Sequence, residues 1–140
     1  MEFWLKVERN DNNPLNKNQI FQLPVNPPSF ELERGANNEV FETEEGEINL
    51  IGNKKLATIT FSSFFPAQKG TYCVCTPRDD PYEYVWIIEN WMHWKSPVRL
   101  IITDTNINML CSIESFPYKE VAMSRDIEFT LNLREYKKFS

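Results

Sequence analysis

The sequence predicts a mainly β, α+β domain: an antiparallel β-sandwich or barrel with one packed α-helix. Two observations carry this. Apolar residues recur at every second position in most of the chain, and only the stretch from Asp80 to about Lys95 shows the spacing of an amphipathic helix. The chain has 140 residues, 41% of them hydrophobic and 14% aromatic, which suits one domain, 1–140, with one large core.

Phe3–Val7 opens the sheet, and a polar loop at 10–14 follows it. Phe21, Leu23 and Val25 then alternate. The prolines from Pro24 to Pro28 lack backbone donors, so this region is expected as two extended segments or edge strands, 19–25 and 29–33. Glu39–Thr43 and 47–51 flank Glu45-Gly46 as a hairpin, with Val40 and Phe41 anchoring its base and Glu42, Glu44 and Glu45 near its tip. Residues 55–62 alternate again, with Ala57, Ile59 and Phe61 on one face. Residues 70–78, containing TYCVC, fit either a strand or a loop over a core edge. The four glycines, Gly35, Gly46, Gly52 and Gly70, all fall at expected turns.

Asp80 suits an N-cap, Pro81 the first helical position, and Glu83 the positive end of the helix. Tyr84, Val85, Ile88, Trp91 and Met92 form the apolar stripe, and Pro97 stops the helix. In 97–115, Val98, Leu100 and Ile102 point one way and Ile107, Met109, Cys111 and Ile113 another, as two strands back to back. The last strand, 126–136, turns Ile127, Phe129, Leu131 and Leu133 inward and Glu128, Thr130, Asn132 and Arg134 outward. These phases put Trp91, Ile88 and Phe129 in one core.

A formal net charge of −5 disfavours nucleic acid and anionic membrane as partners, because both select clustered Lys and Arg. No stretch has the length of a membrane span, and Met1-Glu-Phe-Trp lacks the pattern of a signal peptide, so a soluble cytoplasmic product is expected. Cys73 and Cys75 are too close for an ordinary disulfide and too isolated for zinc. With Cys111 they are expected as reduced thiols, and no metal or cofactor is assigned. His93 is the only histidine and no spacing ties it to a thiol, so no catalytic residue is assigned and the chain is not expected to be an enzyme. The acids match neither a calcium loop nor a glycosidase carboxylate pair.

Two features could mark a surface. Trp91 and Trp94 with Tyr82 and Tyr84 could form a glycan-stacking platform, although helical spacing makes most of these rings core and leaves Trp94 the most exposed. The run from Glu31 to Glu47 holds Glu31, Glu33, Glu39, Glu42, Glu44, Glu45 and Glu47 against Arg34 alone. Such a run is either a solvated face or a docking surface for a basic neighbour. Glu39, Glu42, Glu44, Glu45, Glu47 and Trp94 are therefore the candidate interface residues.

The segments QLPVNPPSFEL, GEINLIGNKKLATITFSSFFP, DPYEYVWIIENW, PVRLIITDTNINMLCSIESF and DIEFTLNLREYKK cover nearly the whole chain. In order and spacing they resemble the N-terminal region of the LysM-containing tail and baseplate proteins of contractile phages and phage-tail-like particles of Gram-positive bacteria. The resemblance implies a tail-tube-like fold and a structural role joining tube, hub and spike to the surrounding baseplate. It further implies several copies in a ring, with tube-initiator, hub or spike, and wedge or sheath proteins as partners. The location implied is the particle's baseplate, assembled in the bacterial cytoplasm. The chain stops at Lys138-Phe139-Ser140, where longer relatives continue into the LysM module, so that module is expected to be absent from this chain, which is either a short natural form or a piece that the module follows. A peptidoglycan- or glycan-binding accessory module of a phage tail is the alternative.

Overall fold

The computed structural model describes residues 1–7 and 20–137. The expected loop at 10–14, Gln19 and the end at 138–140 lie outside the described residues. Among those described, the order is β1 (Phe3–Val7), β2 (Ile20–Gln22), β3 (Phe30–Glu33), β4 (Glu39–Thr43), β5 (Gly46–Leu50), β6 (Thr58–Phe65), α1 (Tyr82–His93), β7 (Val98–Ile102), β8 (Asn108–Ser115), β9 (Tyr118–Glu120) and β10 (Ile127–Glu135). One sheet runs β2-β1-β7-β8-β10-β6-β3, with β9 also paired to β10, while β4 and β5 pair only with each other. Every pairing is antiparallel.

The sheet curls on itself. Phe3 on β1 meets Phe61 on β6 at 5.7 Å between ring centroids and Phe30 on β3 at 6.0 Å, although β1 lies near one end of the strand order and β6 and β3 lie at the other. The alternating inward side chains of β1, β6, β7, β8 and β10 fill the space between, as the period of two requires. Ile127, Phe129, Leu131 and Leu133 are all buried, and Trp91, Ile88 and Phe129 share the one core cluster.

The helix packs across this sheet through aromatic contacts. Trp91 is fully buried and stacks on Phe21 of β2 at 5.6 Å and 10°, while Tyr84 stacks on Phe65 of β6 at 4.5 Å. At its start, Asp80 Oδ1 accepts from the Tyr82 N–H at 2.9 Å, and Pro81 occupies the cap position one residue later than expected. At its end, the Lys95 N–H donates to Met92 O and the Ser96 N–H to Trp91 O, the paired bonds of a Schellman close. Lys95 takes the left-handed conformation (φ 54°) usually given to glycine there.

Several expectations are corrected. Val98 lies opposite Cys111 and Leu100 opposite Met109, and directly opposed residues share a face. The two apolar sets of 97–115 therefore point into the same core rather than apart. Of the two alternatives for residues 70–78, the loop is the one found: they form turns and bends, tied down by the Val74 N–H donating to Pro24 O at 2.8 Å. The strand expected from Lys55 begins at Thr58 and continues to Phe65. The helix stops at His93; Met92 is exposed, and so is Trp86, which follows the buried pair Tyr84 and Val85. β9 was not expected at all. It prolongs β8 along β10 beyond a bulge: Asn132 opposes Ser115 but Leu133 opposes Ile113, leaving Glu114 as the extra residue.

The two ends of the sheet are short. β2 has 3 residues and runs into Leu23-Pro24, and β3 has 4 residues and follows Pro27-Pro28.

Candidate functional site

The β4–β5 hairpin leaves the sheet as a separate ribbon. Its turn is built from Glu44 and Glu45, with the Thr43 hydroxyl donating to Gly46 O at 2.7 Å and accepting from the Glu45 N–H at 3.3 Å. Gly46 closes the turn at φ +123°, a conformation that a side chain makes costly. The register pairs Glu39 with Leu50, Val40 with Asn49, Phe41 with Ile48, Glu42 with Glu47 and Thr43 with Gly46.

That register sorts the ribbon into two faces, because paired residues share a side and successive pairs alternate. One face carries Phe41, Ile48 and Leu50 with Glu39 and Thr43. The other carries Val40, Glu42, Glu47 and Asn49. Every residue of both strands is exposed, with Phe41 at 48%, Ile48 at 49% and Leu50 at 51%, and the adjoining Ile51 reaches 85%. The expectation that Val40 and Phe41 anchor the base is therefore corrected. They point to opposite faces, and neither reaches the core.

Below the paired strands the ribbon continues as an irregular stem. The Asn37 N–H donates to Asn53 O and the Lys55 N–H to Gly35 O, each at 2.8 Å, and Ala36 bridges Lys54. The Gly52 N–H donates to Asn38 Oδ1 at 2.9 Å. A Cβ on Gly52 would lie 1.5 Å from Asn37 O, so only glycine fits this close approach of the two stem chains.

The acids are distributed along the element: Glu39 at the base of the apolar face, Glu42 against Glu47 on the other face, and Glu44 and Glu45 at the tip. Like charges set directly opposite destabilise a strand pair, so the Glu42–Glu47 pairing works against the ribbon in isolation. None of these acids has a cationic partner among the described residues. At the foot of the stem lies a cleft of about 520 Å³ lined by Lys54, Lys55, Arg134, Leu56, Glu33 and Thr58 among others. The sequence reading missed this basic cleft because Arg134 comes from β10, far away in the chain. The apolar face was legible in principle, since a two-residue turn puts Phe41 opposite Ile48.

Trp94 is not part of this surface. It is the half-buried C-cap residue of α1, with its ring edge-on to His93 at 5.1 Å. Trp91 and Tyr84 are consumed by the core, so the four rings do not form one open stacking platform.

Cys73, Cys75 and Cys111 are free thiols. Burial pushes the Cys111 thiol up to about 12, with the Glu135 carboxylate adding to the shift. Burial also raises the Cys75 thiol, and the neighbouring Cys73 reinforces it. Raised thiols are poor nucleophiles at neutral pH. Among the described residues no group of three or more His, Cys, Asp or Glu side chains is placed to hold a metal ion, and no helix is long and apolar enough to cross a membrane.

These observations define the chain as a small α+β domain with a curled antiparallel sheet, one covering helix and a projecting ribbon. The same fold is found in a chain of the virion of a native gene transfer agent particle, with TM-score 0.55 and 12% identity over 99% of this chain and 93% of that one. It recurs in the tail of an empty gene transfer agent particle of C6 symmetry, with TM-score 0.53 and 13% identity over 97% and 92%. A chain of the six-fold symmetrised baseplate of the anti-feeding prophage also shares it, with TM-score 0.54 and 8% identity over 96% and 89%. In sequence, the chain is similar to the uncharacterized protein YqbP of Bacillus subtilis (strain 168), 32% identical over 138 residues. That match covers 97% of this chain and 59% of YqbP, so the chain spans about three-fifths of its relative's length. No protein-family profile matches the chain.

Proposed function

We propose that this domain is a structural component of a contractile tail baseplate, joining tube, hub or spike to the surrounding proteins, and that it acts by assembly rather than catalysis. The observation that carries the reading is the ribbon. A two-stranded hairpin with an apolar face in water is marginal alone, and this one belongs to a fold shared with chains of tails and baseplates. Several copies in a ring suit the sixfold symmetry of those particles, with tube-initiator, hub or spike, and wedge or sheath proteins as neighbours. The resemblance in sequence to the N-terminal region of LysM-containing tail proteins supports placing the domain with them, in particles assembled in the bacterial cytoplasm. On this reading, residues 1–140 form one assembly domain.

The test compares particles from a strain lacking the gene with particles from a strain carrying only a hairpin-excised copy. Both strains should yield defective baseplates, and the excised protein should be missing from purified particles. Normal particles from the deletion strain would overturn the proposal. So would a purified domain that pellets with cell walls and loses that binding on Trp94→Ala, which would make it a glycan-binding module instead.

A further inference from the structure

We infer that the receiving surface for the hairpin is the basic cleft at the foot of the same element in a second copy of this chain. The inference rests on the reading of the ribbon as a contact element and names its partner.

Opposite charges sit at the two ends of one hydrogen-bonded element. Glu44 and Glu45 occupy the tip, while Lys54 and Lys55 occupy the stem beside Arg134. Neither lysine makes an ion pair among the described residues. Arg134 has only a 3.9 Å contact with Glu114, with both side chains well exposed. Eight residue steps, five of them through β4, lead from Ala36 to Glu44, which at about 3.3 Å per extended residue puts the tip up to roughly 26 Å from the stem. The screening length at physiological salt is about 8 Å, so the tip acids of one molecule cannot be neutralised by its own lysines. A fixed cation facing the tip therefore comes from another molecule.

A second copy supplies both kinds of complement. The cleft offers Lys54, Lys55 and Arg134 against Glu33, a net positive lining, and its Leu56 is exposed to meet apolar groups of the ribbon such as Phe41 and Ile48. The contact joins two different patches, tip to foot. Each copy therefore gives one half and accepts the other, the head-to-tail arrangement that closes into a ring when the rotation between neighbours permits. Two copies each carrying a net charge of −5 would otherwise repel, so local complementarity is what sets them in register.

A charge swap in the full-length protein, read as incorporation into particles, tests this. Variant one carries Glu42→Lys, Glu44→Lys and Glu45→Lys; variant two carries Lys54→Glu and Lys55→Glu; the third carries all five. Each of the first two should lower incorporation about tenfold or more, the scale of one or two lost charge pairs, and the third should recover most of it. Failure of the third variant to improve on the first would overturn the second copy as partner while leaving the hairpin as a contact element. Full incorporation of the first variant would overturn the contact reading itself. A photo-crosslinking residue at position 44 of the otherwise unaltered protein removes dependence on the folding of the swapped variants. Crosslinks within 54–58 or to 134 of another copy support the inference, and crosslinks to a different tail protein, or none in intact particles, overturn it.

Discussion

At the scale of single residues, Cys111 shows how burial turns a reactive group into filler. It is fully buried on β8, opposite Val98, and its thiol titrates near 12 instead of the ordinary 9.0. The folded thiol thus stays protonated while an unfolded one ionises above pH 9. Stability from this group is full below pH 9 and falls between 9 and 12, by up to about 1.4 kcal/mol per pH unit. Urea unfolding at pH 8, 9 and 10 should show the decline, and Cys111→Ala should be less stable at pH 8 yet flatter with pH. A thiol reagent should label Cys73 and Cys75, which are half-buried, well before Cys111. An equal labelling rate for all three would show the β8 core to be open. Spacing had left these thiols without a role; only depth in the fold distinguishes one from the others.

At the scale of elements, the hairpin could be read from Glu45-Gly46 between two extended runs, and its acids were plain. Its faces were legible in principle too, because a strand sends the adjacent Val40 and Phe41 apart, so the two cannot anchor one base. What the sequence could not show is that both faces would stay in water, since ordinary alternation implies one buried face. The helix was legible for the opposite reason: Tyr84, Val85, Ile88 and Trp91 repeat on one face and all are buried. β9 was hidden because Tyr118, Lys119 and Glu120 carry no apolar alternation and are exposed; backbone pairing to β10 alone makes them a strand. The stem yields a sharp prediction. Gly52→Ala forces a methyl into Asn37 O and must pry the stem apart. Amide exchange across residues 36–54 should accelerate at least about tenfold while β6 and β10 stay protected. Unchanged exchange in the stem would mean that the two chains are held apart in solution.

For the whole molecule, core and ribbon should be separable. The core cluster draws on β1, β2, β6, α1, β7, β8 and β10 but on no residue of β4 or β5. Replacing residues 37–53 by a short glycine-serine turn should shift unfolding by no more than about 1 kcal/mol, whereas Trp91→Ala should cost about 3–5 kcal/mol. Thermal melts of the two variants decide this, and a large loss on excision would show that the ribbon supports the fold. The clean alternation of the long strands made the fold class readable. The strand order was not, because pairings such as β1 with β7 join segments far apart in the chain, and period-two patterns do not say which strand meets which. The two short ends of the sheet have a consequence for crowding. A molecule gathered at high local concentration would invite its copies to add strand upon strand into fibrils, but 3-residue β2 runs into a proline and 4-residue β3 follows two, while Glu31 and Glu33 leave charge on the second edge. With the two borders of its main sheet guarded against strand addition, the domain can be concentrated with that route to amyloid closed.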